Sequence, residues 1–130
     1  MAHKYSRDPL YEWLIPEIQE LFQFLVDEFG FRRRRPDVSG TGCLQEYSRA
    51  NTRIQLWAEM GSRPECDIIR NGIRVSLDHL ILELCSDRSA TPRGEYSGLE
   101  SSKRDFEMVL QNYAEVIRDF RGQIIPDSTD

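Results

Sequence analysis

Closely spaced metal ligands are missing from this chain. It has three cysteines, Cys43, Cys66 and Cys85, and two histidines, His3 and His79, with no Cys-x-x-Cys among them. Structural zinc sites draw on paired ligands, so no metal and no cofactor is expected, and the thiols are expected to be reduced, at least two of them packed as small hydrophobes. Long apolar runs are missing too. None approaches the roughly 18 residues of a membrane span. The opening Met1-Ala2-His3-Lys4 is polar, and the first apolar stretch already carries Glu12, Glu17 and Glu20. No signal-peptide pattern results, and the expected location is cytoplasmic. Lysine is nearly absent: of 17 basic residues only Lys4 and Lys103 are lysines. The rest are arginines, whose forked donors hold carboxylates and phosphates at two points.

What is present is globular. The 130 residues are 39% hydrophobic and 30% charged, and apolar clusters recur from Leu10 to Ile125. This composition predicts one domain, 1–130, with ends at 1–8 and 126–130 that fray. The net charge of −5 is unevenly spread. Asp8, Glu12, Glu17, Glu20, Asp27 and Glu28 occupy residues 8–28 with no basic residue among them, and Arg32, Arg33, Arg34 and Arg35 then follow without a break. An acidic total argues against general nucleic-acid binding but leaves room for a local basic stripe.

Periodicity divides the chain. Asp8-Pro9 predicts a helix start, and Pro16 either kinks that helix or restarts it. Ile18, Leu21, Phe22, Leu25 and Phe29 then form one helical stripe, which Gly30 ends. Phe31 to Arg35 reads as an edge strand, since its arginines alternate between both faces. Cys43 to Arg49, Thr52 to Met60 and Glu65 to Arg70 read as further strands, with Gly61-Ser62-Arg63-Pro64 as a turn. The alternation is clearest in the second, where Ile54, Leu56, Ala58 and Met60 oppose Arg53, Gln55, Trp57 and Glu59. Asn71-Gly72 signals a two-residue hairpin leading to Ile73 and Val75. Ser76 caps a helix over Leu77 to Cys85, 86–98 reads as a loop, and a last helix runs from about Leu99 to Arg121 until Gly122 stops it. Its stripe, with Val109, Leu110, Tyr113 and Ile117, is expected to pack on Ile54, Leu56 and Ala58. Ile124-Ile125 docks back. The expected class is α+β: an antiparallel meander of four or five strands, with an N-terminal helix and two C-terminal helices mainly on one face.

Catalytic signatures do not appear. Gly40-x-Gly42 lacks the rest of a phosphate-cradling loop, and no nucleophile elbow, zinc-protease pair or calcium loop occurs. Ser76, Asp78 and His79 sit within four residues at a helix start, where capping explains the hydroxyl and the acid, whereas a nucleophile and its base converge from separate elements. Pairing His79 with Cys43 or Cys66 requires an exposed, electropositive thiol. A small enzyme using His79 or a cysteine therefore ranks third among the expected functions.

Two binding readings rank above it. On an unbroken helix of about 100° per residue, Trp13 and Phe24 fall opposite the core stripe, flanked by Glu17, Glu20, Asp27 and Glu28. Large aromatics in a polar rim are the composition of an interface anchor. Trp57, on the polar side of its strand, either joins such a contact, stacks on Arg53 or lies beneath the 86–98 loop. A protein-binding module using Trp13, Glu17, Glu20, Phe24 and Trp57 is the leading expectation. The runner-up is a nucleic-acid-associated or regulatory domain using Arg32 to Arg35 as an anion stripe with Tyr47 or Trp57 as stacking platforms.

The helix closing on Glu28-Phe29-Gly30-Phe31, the meander carrying Ile54-Gln55-Leu56-Trp57-Ala58-Glu59 and the helix opening on Leu77-Asp78-His79-Leu80 resemble the small α+β immunity proteins of bacterial toxin–antitoxin and contact-inhibition systems. The resemblance lies in the order of elements and carries over no functional residue. It implies a single-domain cytoplasmic inhibitor that binds one toxin domain, often a basic nuclease, through an acidic and aromatic face.

Overall fold

The computed structural model describes residues 9–39, 42–59, 64–84 and 99–125, with the backbone alone at 9–13, 39 and 99–105. The Asp8 cap, the turn at 61–63, Cys85, the 86–98 loop and both chain ends lie outside the described residues.

The class is α+β. Six strands, β1 (Arg32–Arg33), β2 (Asp37–Ser39), β3 (Gly42–Arg49), β4 (Thr52–Glu59), β5 (Glu65–Arg70) and β6 (Ile73–Ser76), form one antiparallel sheet. Its order is β1-β3-β4-β5-β6, with β2 also paired to β3. The chain reaches it through α1 (Pro9–Leu21) and α2 (Gln23–Asp27) and leaves it through α3 (Leu77–Leu84), α4 (Leu99–Asp119) and α5 (Arg121–Ile124).

β1 and β2 share one edge of β3, and the sequence reading missed β2. Arg32 faces Ser48 and Arg33 faces Tyr47, while Asp37, Val38 and Ser39 face Leu44, Cys43 and Gly42. Arg34 still donates its N–H to the Glu46 carbonyl at 2.8 Å, and the ladder then lapses at Arg35 and Pro36, where Pro36 has no N–H to give. The Gln45 side chain fills that gap. It is 1% exposed, donates from Nε2 to the Arg34 carbonyl at 2.6 Å and accepts from Gln19 Nε2 at 3.0 Å. A buried amide so bonded carries little penalty, and it fixes α1 to the interrupted edge.

Two helical breaks also depart from expectation. α1 runs through Pro16 without restarting, then ends at Leu21. Phe22 adopts φ −108°, ψ 16° before α2 resumes. Phe120 repeats this with φ −118°, ψ 31° between α4 and α5. Gly122 thus lies inside α5 and does not stop the preceding helix. The C-terminal helices number three among the described residues, not two.

The strands β3, β4 and β5 present one face to the helices. Cys43, Tyr47, Ile54, Leu56, Ala58, Cys66 and Ile68 are at most 1% exposed, and so are Val109, Leu110, Tyr113 and Ile117 of α4. All belong to one hydrophobic cluster with Leu14, Ile18 and Phe22 of the N-terminal segment. The last helix therefore shares a core with the Ile54/Leu56/Ala58 face, as its period predicts. Ile124 and Ile125 are buried as well, and Arg70 fastens that end by donating to the carbonyls of Gln123 and Ile124 at 3.3 Å each. At the β5–β6 hairpin, Asn71 and Gly72 have φ of 53° and 84°, the left-handed pair that such a two-residue turn requires.

Candidate protein-docking face

The other side of the sheet carries no described helix. Its side chains fall into three rows across the strands, fixed by register. Arg32, Ser48, Arg53, Ile69 and Arg74 form the first; Glu46, Gln55, Asp67 and Ser76 the second; Asp37, Leu44, Trp57 and Glu65 the third.

Arg53 and Arg74 of the first row pair with Glu46 and Asp67 of the second. Arg53 lies 3.6 Å from Glu46, and Arg74 donates to Asp67 at 2.7 Å and to the Gln55 side-chain oxygen at 2.9 Å. Gln55 in turn donates to Glu46 at 3.3 Å. The third row has no such relief. Asp37 and Glu65 are exposed and meet no ionic or hydrogen-bonding partner among the described residues. Between them stands Trp57, 37% exposed, beside a shallow cavity of about 280 Å³ shared with Leu44, Gln55, Glu65, Asp67 and Arg74. Glu59 extends the acidic side two residues along β4. One end of the face therefore presents an indole in a carboxylate field, while Arg53 and Arg74 are held by Glu46 and Asp67.

Among the sequence-predicted partner residues, Trp57 thus stands exposed, while Arg53 is held by Glu46. Phe24 does not stand out. It is 5% exposed, packed at 6.1 Å from Phe22 and 5.5 Å from Phe29, with Arg118 over its ring at 4.5 Å. α1 ends at Leu21 and Phe24 is buried in the separate α2, so the aromatic face expected on one continuous helix is not formed. The Trp13 side chain lies outside the described residues. Glu20 is exposed and Glu17 half-buried, on a helix away from Trp57's face.

The arginine stripe is exposed at all four positions, Arg32, Arg33, Arg34 and Arg35. Tyr47, expected beside it as a stacking platform, is instead fully buried opposite Ile54. Burial pushes its phenol up to about 12, against a smaller opposing pull from Arg33, and its hydroxyl has no partner among the described residues. Nor are the catalytic candidates brought together. His79 is exposed and meets Glu83 at 3.2 Å, one turn along α3. Cys43 and Cys66 are buried, and burial, with Asp67 and Asp78 nearby, pushes the Cys66 thiol well up, away from a reactive thiolate.

Asp37, Leu44 and Glu65 escaped the sequence reading as site residues. One of them was within reach of it: strands ending at Arg49 and starting at Thr52 leave a two-residue turn, and that register places Leu44 opposite Trp57. Glu65 was not, since strands ending at Met60 and starting at Glu65 would set Trp57 against Ile68, whereas the register sets Trp57 against Glu65.

Among the described residues no group of three or more His, Cys, Asp or Glu is placed to hold a metal ion, and no helix is long and apolar enough to cross a membrane. No protein-family model, curated protein or solved structure matches this chain.

Proposed function

We propose that the chain is a non-enzymatic protein-binding module that docks a basic surface of its partner on the open sheet face around Trp57. The observation that carries this reading is the third row: an exposed indole between two carboxylates that meet no counter-ion among the described residues. A lysine or arginine of the partner can lie over the indole and meet Asp37 or Glu65 at its edges, which joins a cation–π contact to charge-assisted hydrogen bonds. Leu44 supplies the apolar contact beside it, and the charged and polar rows beyond form a polar rim. An immunity-type inhibitor of a basic toxin domain is the specific form of this reading that the resemblance in element order suggests.

The test begins with affinity capture from the native source and continues with each captured protein purified and titrated against the chain. A Trp57→Ala variant should bind its direct partner at least about tenfold more weakly, as is usual for a central aromatic anchor. Glu65→Arg should weaken binding similarly, with much of the loss in association rate at low salt. Arg35→Ala, away from the third row, should bind as the wild type does. A direct partner held equally by the wild type, Trp57→Ala and Glu65→Arg overturns the reading.

A further inference from the structure

Three arginines cover three phenylalanine rings where α2, the end of β3 and the α4–α5 junction meet. The Arg49 guanidinium lies 5.1 Å from the Phe31 ring, Arg118 4.5 Å from Phe24, and Arg121 5.4 Å from Phe29. Arg49 also donates to the Phe29 carbonyl at 2.5 Å. Stacking on a ring holds the plane of a guanidinium while leaving its N–H groups pointing outward at the rim, so little freedom is lost when they meet an acceptor.

Beside them is a cavity of about 370 Å³, lined by Glu28, Phe29, Arg49, Arg121, Gly122 and Ile125. The size suits a small organic ligand. Two guanidiniums stand in its wall, and the one carboxylate there, Glu28, lies 3.6 Å from Arg118, which neutralises it from outside the wall. Arg121 is exposed and meets no carboxylate or hydrogen-bond acceptor among the described residues. In a chain of net charge −5 this is a local excess of positive charge. Covering the rings explains the stacking. It does not explain why two of the guanidiniums border one partly apolar cavity.

We propose that this cavity binds a small phosphate monoester, with Arg121 as the principal donor, Arg49 strengthening the field and the Phe29 and Ile125 side holding the apolar body. A phosphate matches two guanidiniums because it brings two negative charges and three oxygens, whereas one fork is enough for a carboxylate. The site lies on the helix side of the sheet near the Arg49 end of β3. Trp57 stands on the other side, opposite Leu44, so the two proposals fail independently.

The test is a titration of the full chain with phenyl phosphate, followed by amide and phosphorus NMR at constant ionic strength, with inorganic phosphate and benzoate as parallel arms. Phenyl phosphate should give saturable shifts around Arg49, Arg121 and Gly122, tighter than inorganic phosphate and tighter than benzoate. Arg121→Ala should weaken binding roughly tenfold, the loss of one charge-assisted pair. Gly122→Glu should do the same with the ring contacts intact, since a Cβ at Gly122 would meet nothing within 4 Å. Trp57→Ala should bind as the wild type does. Absence of saturation, benzoate binding as tight as phenyl phosphate, or unchanged affinity in both Arg121→Ala and Gly122→Glu overturns the proposal.

Discussion

Replacing Leu110 by alanine should lower the stability of the fold by about 2–5 kcal/mol, the range for deleting a closely packed core side chain. Leu110 is 0% exposed on the face of α4 that shares its cluster with Ile54, Leu56 and Ala58. Ile117, two turns further on and equally buried, should behave alike. The loss combines the transfer free energy of the missing methyl and methylene groups with the cavity they leave, which a helix fixed against a sheet fills only in part. Glu107, half-buried on the polar side of the same helix, is the internal control. Glu107→Ala should change stability by less than about 0.5 kcal/mol. Urea melts of the three variants decide it, and equal midpoints for Leu110→Ala and Glu107→Ala would mean that α4 is not packed by this stripe.

One chemical change at two tyrosines should give effects of opposite sign. The Tyr113 hydroxyl is buried between α4, the start of α3 and the turn before β5, within 3.1 Å and 3.0 Å of the two carboxylate oxygens of Asp78 and 3.2 Å of the Pro64 carbonyl. Tyr113→Phe removes the donor and leaves acceptors facing a phenyl ring, which should cost about 1–3 kcal/mol. The Tyr47 hydroxyl is buried with no hydrogen-bond partner among the described residues. Its desolvation is already a cost in the native state, so Tyr47→Phe should be neutral or stabilising by up to about 1 kcal/mol. Thermal or urea denaturation of both variants checks the pair, and a clear destabilisation by Tyr47→Phe would show that the hydroxyl has a partner after all.

The elements most readable in the sequence are those whose signal is local. β4 alternates over eight residues, the Asn71-Gly72 turn fixes its own dihedrals, and α4 carries its stripe in order. The missed features depend on distant contacts. Nothing at Phe22 or Phe120 marks a helix break, as neither is Gly or Pro. Both rings pack with the core cluster, Phe22 fully and Phe120 in part, and tertiary packing overrides helix propensity there. Phe24, expected as a surface anchor, packs instead into the core with Phe22 and Phe29. β2 was missed because three residues after a proline have too few positions to show a period. Its pairing is set by β3, with the Gln45 amide bridging the gap. Trp57 was readable because it sits in the most regular strand of the chain. Its acidic neighbours required cross-strand register, which single-strand periodicity does not show.

The central claim is that Trp57 stands open to solvent in an acidic field. The chain has two tryptophans, so Trp13→Phe leaves Trp57 as the only indole. Fluorescence of that variant, quenched in parallel by caesium and iodide at equal ionic strength, measures both properties at once. Solvent-shifted emission is expected, with a caesium-to-iodide quenching ratio higher than that of free N-acetyltryptophanamide, because Glu65 and Asp37 concentrate the cation and repel the anion. The ratio should fall in Glu65→Arg. Blue-shifted emission with weak quenching by both ions, or a ratio no higher than that of the free indole, would contradict it.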